Sequence, residues 1–401
     1  MDRQVLTFRE LIAPFEPEAF FGEVYRQKPV HLPGPGSRFA SVFSWAVLNE
    51  LLSMSTLWSD QSCEVVLGGK VLPPEAYCYQ GPTRDNQRGH IVDPERMLNC
   101  LRQGGALTLN FIERLTPPLR AISQTLACAL GASVNCSTFA TWPRAQGYAS
   151  HFDTTQVVVL HIAGSKTWRI YEGRFPHAAH TTNARAKYPD FPQDYHEQAK
   201  GRLLKEVTLT PGDLLYLPHG QYHDAFTSDE PSIHLSFAVR HLVTQDFINA
   251  LSREMPQDPY FLQHLPAVGD RAANGEVRRS LAGVLQQIMA DPKVGEGLEG
   301  LLRRSAFERL ANYSLPDRQA PRRFRVLWRG RRVEPSGAAV QLVAGNQAHQ
   351  LDATAGALAE WAIAKDYFAE SWLDEDFSHL QPAARTAALA DLHRLGLIET
   401  L

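Results

Sequence analysis

The sequence predicts a mainly β fold of the double-sheet jelly-roll type, with α-helices before and after it. Between about residues 133 and 243, short runs of β-forming residues alternate with turns rich in Gly, Pro and Asp. Before and after this segment, apolar residues recur at helical spacing instead. The length of 401 residues supports two or three domains, each able to bury a core.

The first 130 residues mix helix and strand signals. The spacing of Phe20, Phe21 and Val24 predicts a helix, and Lys28-Pro29 stops it because proline disfavours helix in the residue before it. The predicted elements of this part are helices over 15–27, 43–53 and 117–130 and a short strand over 30–32.

The β-rich segment shows a regular succession of strands and turns. Ala163-Gly164-Ser165 separates two strands, and we expect a hairpin there that folds the second strand back beside the first. Pro211-Gly212-Asp213 supplies another turn. The predicted strands are 157–162, 166–171, 203–209, 214–217 and 232–239.

The C-terminal part is predominantly helical and ends in a smaller mixed module. Helices are predicted over 245–253, 275–289 and 296–311, a linker over 316–325, strands over 324–328 and 340–344, and helices over 358–364 and 385–395. We therefore expect three domains: a β-rich one over 1–243, a helical region over 244–315 and a winged-helix-like domain over 316–401.

Composition excludes several classes of protein. Lys and Arg number 40 against 43 Asp and Glu, and this balance argues against a chain that mainly coats nucleic acid. No apolar run approaches the roughly 18 residues of a membrane span, and the charged segment Met1 to Glu10 predicts no export. Five cysteines without a C-x-x-C pair predict reduced thiols, so a cytoplasmic location is expected.

The candidate metal ligands begin with His151-Phe152-Asp153. In a strand, residues i and i+2 face the same way, so this imidazole and carboxylate can share one ion. Iron(II) oxygenases bind their metal with two His and one carboxylate. His223, after the Pro-Gly turn that follows a predicted strand, fits as the second His. His219 is its rival, and spacing alone leaves both open.

A cation and three hydroxyls are candidates for a cosubstrate site. Lys166 lies 15 residues after His151, and inside a barrel its ammonium would need a carboxylate partner, because an unpaired buried charge is costly. The alternative is that it faces solvent at the hairpin. Ser236, Thr141 and Ser137 could donate hydroxyls to the same carboxylate, or serve only as structure.

Three motifs and an N-terminal helix carry a resemblance to a known family. The sequence is similar to the JmjC-type branch of iron(II)- and 2-oxoglutarate-dependent oxygenases, nearest to the bacterial ribosomal oxygenases, which are cupin-like protein hydroxylases. The matching segments are Phe20-Phe21 with Tyr25 and Lys28-Pro29-Val30, His151-x-Asp153 with Ile162-Ala163-Gly164-Ser165-Lys166-Thr167-Trp168, Leu209-Thr210-Pro211-Gly212-Asp213-Leu214-Leu215-Tyr216-Leu217-Pro218-x-Gly220-x-x-His223, and His234-x-Ser236-x-x-x-Arg240.

This resemblance implies a double-stranded β-helix of the cupin, JmjC-like type. It implies that His151, Asp153 and His223 bind iron(II), and in the family's motif the spacing after Gly favours His223 over His219. Lys166 would bind the distal carboxylate of 2-oxoglutarate, with Ser236 as a helper, while Thr141 is a cosubstrate-binding candidate from its place on the strand before His151. With O2, the reaction would hydroxylate an amino-acid side chain of a protein or peptide and release succinate and CO2. The family's helical dimerisation region implies a homodimer.

The sequence leaves the substrate open between a ribosomal protein and a ribosomally made precursor peptide. Trp142, Arg144 and Tyr148 precede His151 and are candidates for the pocket mouth, where Arg144 would suit an acidic substrate. The aromatic-rich loop over 172–202 is either an insert that holds the substrate or a packed surface excursion.

The segment 303–332 is rich in Arg, with few acids. It could contact RNA, a ribosomal assembly or an acidic leader peptide. We favour the other interpretation, a solvated face that pairs with acids such as Asp374-Glu375-Asp376, because no RNA-binding motif is present.

Two alternative functions remain. One is an N-methyl-lysine demethylase that uses the same oxidation, and the mass of the product separates it from a hydroxylase. The other is a non-catalytic cupin binding module, against which the intact His-x-Asp, distal His and Lys166 argue.

Overall fold

A computed structural model gives the architecture of the chain. It describes residues 6–143, 147–175, 193–227, 229–255, 259–268, 270–307, 321–337 and 339–401. The β-strands are β1 (Val30–Leu32), β2 (Cys63–Leu67), β3 (Lys70–Val71), β4 (Cys78–Pro82), β5 (Arg88–Val92), β6 (Ala106–Leu109), β7 (Ser133–Thr141), β8 (Gln156–Ala163), β9 (Lys166–Arg174), β10 (Leu203–Leu209), β11 (Leu214–Leu217), β12 (Gln221–Thr227), β13 (Ser232–Arg240), β14 (Arg323–Val326), β15 (Arg331–Ser336), β16 (Ala339–Ala344), β17 (Gln347–Leu351), β18 (Tyr367–Ala369) and β19 (Ile398–Thr400).

Most helices precede or follow the β-rich segment, as predicted, whereas α6 lies within it, between β9 and β10. The helices are α1 (Phe8–Ile12), α2 (Pro17–Glu23), α3 (Trp45–Ser53), α4 (Pro94–Arg102), α5 (Pro117–Leu130), α6 (Gln193–Ala199), α7 (Thr244–Glu254), α8 (Arg271–Ala290), α9 (Pro292–Phe307), α10 (Ala353–Ile363), α11 (Trp372–Asp376) and α12 (Pro382–Arg394). Helix α5 has the predicted bounds, while α2 is shorter than the predicted helix at both ends.

Two antiparallel sheets form the predicted jelly roll. The larger has the strand order β1-β11-β8-β13-β7-β6-β2-β3, and the smaller has the order β10-β9-β12. Side chains along β8 alternate between two environments. Val157 and Val159 pack between the sheets with residues of β9 and β11, whereas Val158 and Leu160 belong to the outer core with α1 and α5.

The predicted hairpin between β8 and β9 is wrong. In the described residues β8 pairs with β11 and β13, whereas β9 pairs with β10 and β12 in the other sheet. The turn at Gly164, with φ of 66°, therefore carries the chain from one sheet to the other. A side chain at Gly164 would collide with the carbonyl of Pro231, which explains the glycine. A short glycine turn fits a hairpin and a corner between sheets equally well.

Residues 323–337 and 339–401 build a core of their own. Strand β14 lies between β18 and β19, and β15, β16 and β17 form a second small sheet. Phe324, Leu358, Phe368 and Leu392 are among the residues buried in this core, which joins the small sheets to α10 and α12.

This C-terminal unit packs tightly on the N-terminal helices. The ring of Phe8 stacks between Phe21 and Trp328, at centroid distances of 5.6 and 6.3 Å. The guanidinium of Arg329 lies over the Phe21 ring at 3.5 Å. The buried carboxylate of Asp366 accepts a hydrogen bond of 2.6 Å from the amide of Phe8, the first residue of α1. Side-chain stacking and a buried hydrogen bond thus join the two ends of the chain.

The Arg-rich segment makes many contacts within the chain. Arg322 forms a bidentate pair with Glu370, and Arg303 and Arg325 pair with Glu399. These are acids other than the Asp374 to Asp376 run that we expected. Arg309 and Arg318 lie outside the described residues. The linker predicted over 316–325 is wrong at its end, because β14 begins at Arg323; residues 316–320 are not described.

Helices α8 and α9 contribute little to any core. Leu281, Met289 and Leu302 on these helices are exposed, and so are Leu265 and Val268 just before them. All five cysteines are buried and free. Among the described residues no helix is long and apolar enough to cross a membrane.

Candidate metal centre

Two His and one Asp meet at the mouth of the jelly roll. His223 lies on β12, and His151 forms an isolated β-bridge with it through backbone hydrogen bonds of 3.0 and 2.9 Å. Asp153, two residues further on, faces the same point. One ligand atom of each residue lies within 4.8 Å of the others. The fold therefore brings the three predicted ligands together.

The hydrogen bonds of the imidazoles leave one nitrogen of each ring facing the centre. Nδ1 of His151 contacts the carbonyl of Ala149 at 2.8 Å, and Nδ1 of His223 contacts that of Gln221 at 2.9 Å. Because a carbonyl only accepts, each Nδ1 carries the proton and each Nε2 offers a lone pair. Nε2 of His223 lies 3.6 Å from the Asp153 carboxylate. Burial lowers the pKa of His223, which favours the neutral form that binds metals.

A cavity of about 330 Å³ opens beside the triad and runs between the two sheets. Lys166 lies on its wall, with only 3% of its surface exposed. Desolvation lowers the pKa of Lys166 to about 7. No carboxylate of the described residues forms an ion pair with Lys166, so its ammonium fits an incoming anion. The expectation of an inward-facing Lys166 holds, although it comes from the smaller sheet.

The predicted hydroxyls line the same cavity in different states. Thr141 is buried, accepts a hydrogen bond of 2.7 Å from Thr227 and contacts the Ser232 hydroxyl at 2.8 Å. Ser137 donates to the side-chain carbonyl of Asn110 at 2.7 Å. Ser236 stands opposite Ser137 in the β7–β13 register and also lines the cavity.

Two further residues with buried ring nitrogens face the cavity, and the sequence analysis assigned no role to them. Trp168 and His234 line it, and within the described residues neither Nε1 of Trp168 nor Nδ1 of His234 has a hydrogen-bond partner. The His234 ring stacks on Phe139 at 4.8 Å and meets Trp168 edge-on at 5.3 Å. Buried polar atoms normally find partners, so a polar ligand between the sheets suits this part of the cavity.

A buried carboxylate ties the two ligand segments together. Asp224, next to His223, accepts hydrogen bonds from Ser150 at 2.5 Å, Tyr171 at 2.7 Å and Arg169 at 2.8 Å. Ser150 precedes His151, so one carboxylate holds the neighbours of both imidazoles. Its hydrogen bonds and the Arg169 charge keep the pKa of Asp224 low despite its burial. Only its position beside His223 could have marked it in the sequence.

The remaining predicted residues lie partly inside and partly outside the cavity. Tyr148 lines the cavity, as expected. Trp142 does not: its ring packs 5.9 Å from Trp45 of α3, which corrects its placement at the pocket mouth. His219 lies apart from the triad and contacts Arg174. Arg144 and most of the 172–202 loop lie outside the described residues.

These features define a jelly roll in which two His and one Asp could hold a metal ion. Residues 113–247 match the model of the JmjC domain, and the predicted JmjC-like jelly-roll core with flanking helices is confirmed. The match covers β7 to β13, which include His151, Asp153, Lys166 and His223.

Ribosomal oxygenases are among the proteins that this chain is similar to. Ribosomal oxygenase 2 of Bos taurus is 27% identical over 231 residues, which cover 55% of this chain and 44% of that protein. The bifunctional lysine-specific demethylase and histidyl-hydroxylase NO66 of Drosophila persimilis is 25% identical over 62% of this chain and 34% of its own length. The chain thus spans less than half the length of these relatives.

A solved structure extends the similarity to the whole chain. YcfD, a ribosomal oxygenase from Escherichia coli in complex with cobalt and 2-oxoglutarate, superposes with a TM-score of 0.51 at 15% identity. The match covers 96% of this chain and 98% of the YcfD chain. It shows that the two chains share their fold.

Proposed function

We propose that this protein is an iron(II)- and 2-oxoglutarate-dependent dioxygenase that hydroxylates an amino-acid side chain of a protein or peptide. The observation that carries the proposal is the His151, Asp153 and His223 triad at the mouth of a cavity that contains the buried Lys166, which pairs with no carboxylate of the described residues. The ribosomal oxygenases among the homologues support a protein substrate.

In this proposal the triad would hold iron(II) at the mouth of the cavity. Iron(II) supplies the redox chemistry by which O2 and 2-oxoglutarate convert a C–H bond to C–OH, with succinate and CO2 as the other products. Asp224 keeps the two imidazoles in place through Ser150 and the chain next to His223. The Nδ1 hydrogen bonds hold each ring with Nε2 towards the metal.

Lys166 binds the distal carboxylate of 2-oxoglutarate in the proposed complex. Its burial excludes water, so the ion pair is strong, and the anion compensates a charge that is costly without it. Ser236 is placed to add a hydroxyl donor. Thr141 already binds two hydroxyls, so we assign it to holding the cavity wall between β7 and β13.

The substrate is proposed to be a residue of a ribosomal protein or of a ribosomally made precursor peptide. Demethylation of N-methyl-lysine is the second candidate, because NO66 among the homologues carries both activities in its name. Both reactions need the same triad and cosubstrate. They differ in the product, because hydroxylation adds one oxygen whereas demethylation removes a methylene unit.

The test measures turnover of 2-oxoglutarate to succinate in air with added iron(II), first alone and then with candidate peptides. Wild type should turn over, and His151→Ala and His223→Ala should not. His219→Ala is the matched control, because His219 lies in the same turn region but outside the triad. If wild type neither binds 2-oxoglutarate in a titration nor turns it over, the protein is a binding module instead.

We also propose that the chain divides into domains over 1–243 and 316–401 with a helical region over 244–315 between them. The helical region is proposed to form a homodimer. The exposed Leu265, Leu281 and Met289 support this, because a second copy would cover apolar surface that the described part of the chain leaves open. The C-terminal domain is proposed to be winged-helix-like.

Two further parts of the proposal concern the protein's surroundings. A cytoplasmic location agrees with five buried free cysteines. Nucleic acid is not a favoured partner, because Arg303, Arg322 and Arg325 pair with acids of the chain itself.

A further inference from the structure

A phenylalanine separates the two metal ligands of the segment 151–153. Successive side chains of an extended segment point to opposite sides, so Phe152 points away from the side on which the ligands meet. Its ring stacks on Phe175 at a centroid distance of 4.6 Å and an interplanar angle of 5°. Tyr222, the residue before His223, meets the Phe152 ring edge-on at 5.3 Å. Phe152 therefore joins the two ligand segments on the side opposite the metal site.

The backbone by itself gives the segment 151–153 little support. The segment lies outside the strands and between β7 and β8. In the described part of the chain, its backbone hydrogen bonds are the isolated bridge between His151 and His223 and a bond of 2.7 Å from the Gly220 amide to the Asp153 carbonyl. Because close-packed side chains resist displacement, the packing of the Phe152 ring helps to decide where the two ligands point.

Helix α6 packs against the same aromatic ring. The His196 ring of α6 lies 5.9 Å from that of Phe152 and 5.8 Å from that of Tyr222. Nδ1 of His196 also contacts the Tyr222 hydroxyl at 3.2 Å. One side chain of α6 thus contacts the residue between the first two ligands and the residue before the third.

The two ends of α6 are also fixed to the metal-ligand region. Gln193 donates to the carbonyl of Ser150 at 3.1 Å, and Lys200, the residue after α6, donates to the hydroxyl of Ser150 at 3.2 Å. Ser150 directly precedes the first ligand. The Gly173 amide of β9 donates to the Lys200 carbonyl at 2.7 Å. A side chain at Gly173 would collide with the carbonyl of Ala199, so the glycine allows α6 to end this close to β9.

We propose that α6 is a positioning element for the metal centre, which orients the ligands through its contacts with Ser150, Phe152 and Tyr222. Each of the three ligands has one of these residues as a neighbour in sequence. Because coupling between two sites is reciprocal, metal binding and the docking of α6 on Phe152 strengthen each other. This inference rests on the proposed function in that it takes the triad as a metal site, and it is independent of the substrate.

The expected size of the effect follows from residues that orient metal ligands in other proteins. Their loss typically weakens metal affinity by about 10- to 100-fold. The contacts of α6 act through neighbours of the ligands and not on the imidazoles themselves, so we expect the lower end, about 10-fold. A merely structural role of α6 would change the stability of the metal-free protein and leave its metal affinity unaltered.

The experiment measures Co(II) affinity by calorimetric titration of wild type, Phe152→Ala and His196→Ala. Gln198→Ala is the matched control, because Gln198 is exposed on the same helix. Phe152→Leu keeps an apolar side chain and tests for recovery. Urea unfolding of each metal-free variant reports on stability. Hydrogen-exchange mass spectrometry with and without Co(II) follows the peptide over 193–202, with α12 of the separate C-terminal core as the reference.

Phe152→Ala and His196→Ala should bind Co(II) about 10-fold more weakly than wild type, with partial recovery in Phe152→Leu and no change in Gln198→Ala. Co(II) should slow exchange over 193–202 in wild type, beyond any change in α12, and should not do so in His196→Ala. If Phe152→Ala does not fold, His196→Ala decides, because its side chain is only partly buried.

Two results overturn the inference: wild-type Co(II) affinity in folded His196→Ala, or exchange over 193–202 that Co(II) leaves unchanged in wild type. Calorimetric titration of 2-oxoglutarate with Co(II)-loaded wild type separates this inference from the proposed function. If the coupling is found but 2-oxoglutarate does not bind, the positioning role of α6 stands and the proposed function fails. A wild type that binds no Co(II) overturns both.

Discussion

Lys166, which is proposed to bind 2-oxoglutarate, is expected to lower the stability of the protein without that ligand. Its ammonium is buried, no carboxylate in the described part of the chain pairs with it, and desolvation lowers its pKa from 10.5 to about 7. The difference between these two pKa values sets a ceiling of about 5 kcal/mol on the cost of burying the charge. Lys166→Met removes the charge but keeps an unbranched apolar side chain. We therefore expect the variant to unfold at a higher urea concentration than wild type.

The pH dependence follows from linkage. The folded-state pKa of Lys166 lies below its value in the unfolded chain, so between about pH 7 and 10.5 the unfolded chain binds more protons and wild-type stability rises with pH. The advantage of Lys166→Met is accordingly largest below pH 7, and it should be about 1.4 kcal/mol smaller at pH 8 than at pH 6. Saturating 2-oxoglutarate should stabilise wild type by mass action and leave the variant unchanged.

Urea unfolding at pH 6 and pH 8, with and without 2-oxoglutarate, measures all three effects. Lys205→Met is the control, because Lys205 is exposed on β10 and its removal should change stability by less than about 0.5 kcal/mol. The reasoning is refuted if Lys166→Met is no more stable than wild type at pH 6. It is also refuted if 2-oxoglutarate stabilises both proteins equally.

Three further predictions concern the metal, its support and assembly. His223→Ala should abolish Co(II) binding, seen as loss of the visible absorption spectrum, whereas His219→Ala should still bind Co(II). The reverse result would make His219 the distal ligand. Asp224→Asn should weaken Co(II) affinity by about 10- to 100-fold, with recovery in Asp224→Glu, and an unchanged Co(II) titration would exclude a positioning role for Asp224. The double change Leu265→Glu with Leu281→Glu should halve the mass measured by light scattering, and a monomeric wild type would contradict the dimer.

The β segment was predictable because alternation and turn residues report local structure directly. The strand over 203–209 has the predicted bounds in the structure, and so does the one over 214–217. Strand β12, which carries His223, was missed, because Gln221-Tyr222-His223 follows a Pro-Gly turn and carries no alternating apolar pattern. Which sheet a strand joins depends on contacts distant in sequence, so the placement of β9 could not be read from the turn at Gly164.

The site was predictable only where spacing constrains it. His151 and Asp153 share a face by the period of a strand, and the family motif selected His223. Glu64, which also lines the cavity, could not be found in this way. Its strand β2 is connected to β13 only by three successive strand pairings, which the sequence does not reveal. Trp142 shows the opposite error: being close to His151 in sequence did not bring it to the cavity, because its ring packs on Trp45.

The contact between the N-terminal helices and the C-terminal unit can form only late in translation. Helix α1 begins at Phe8, yet the carboxylate that receives the Phe8 amide belongs to Asp366, and the ring that completes the Phe8 and Phe21 stack belongs to Trp328. A ribosome makes the N-terminal helices first, and Asp366 follows 358 residues after Phe8. During translation the outer wall of the jelly roll therefore stays open beside α1. The apolar surface of Phe8 and Phe21 therefore stays exposed to other partners until Trp328 and Asp366 have emerged.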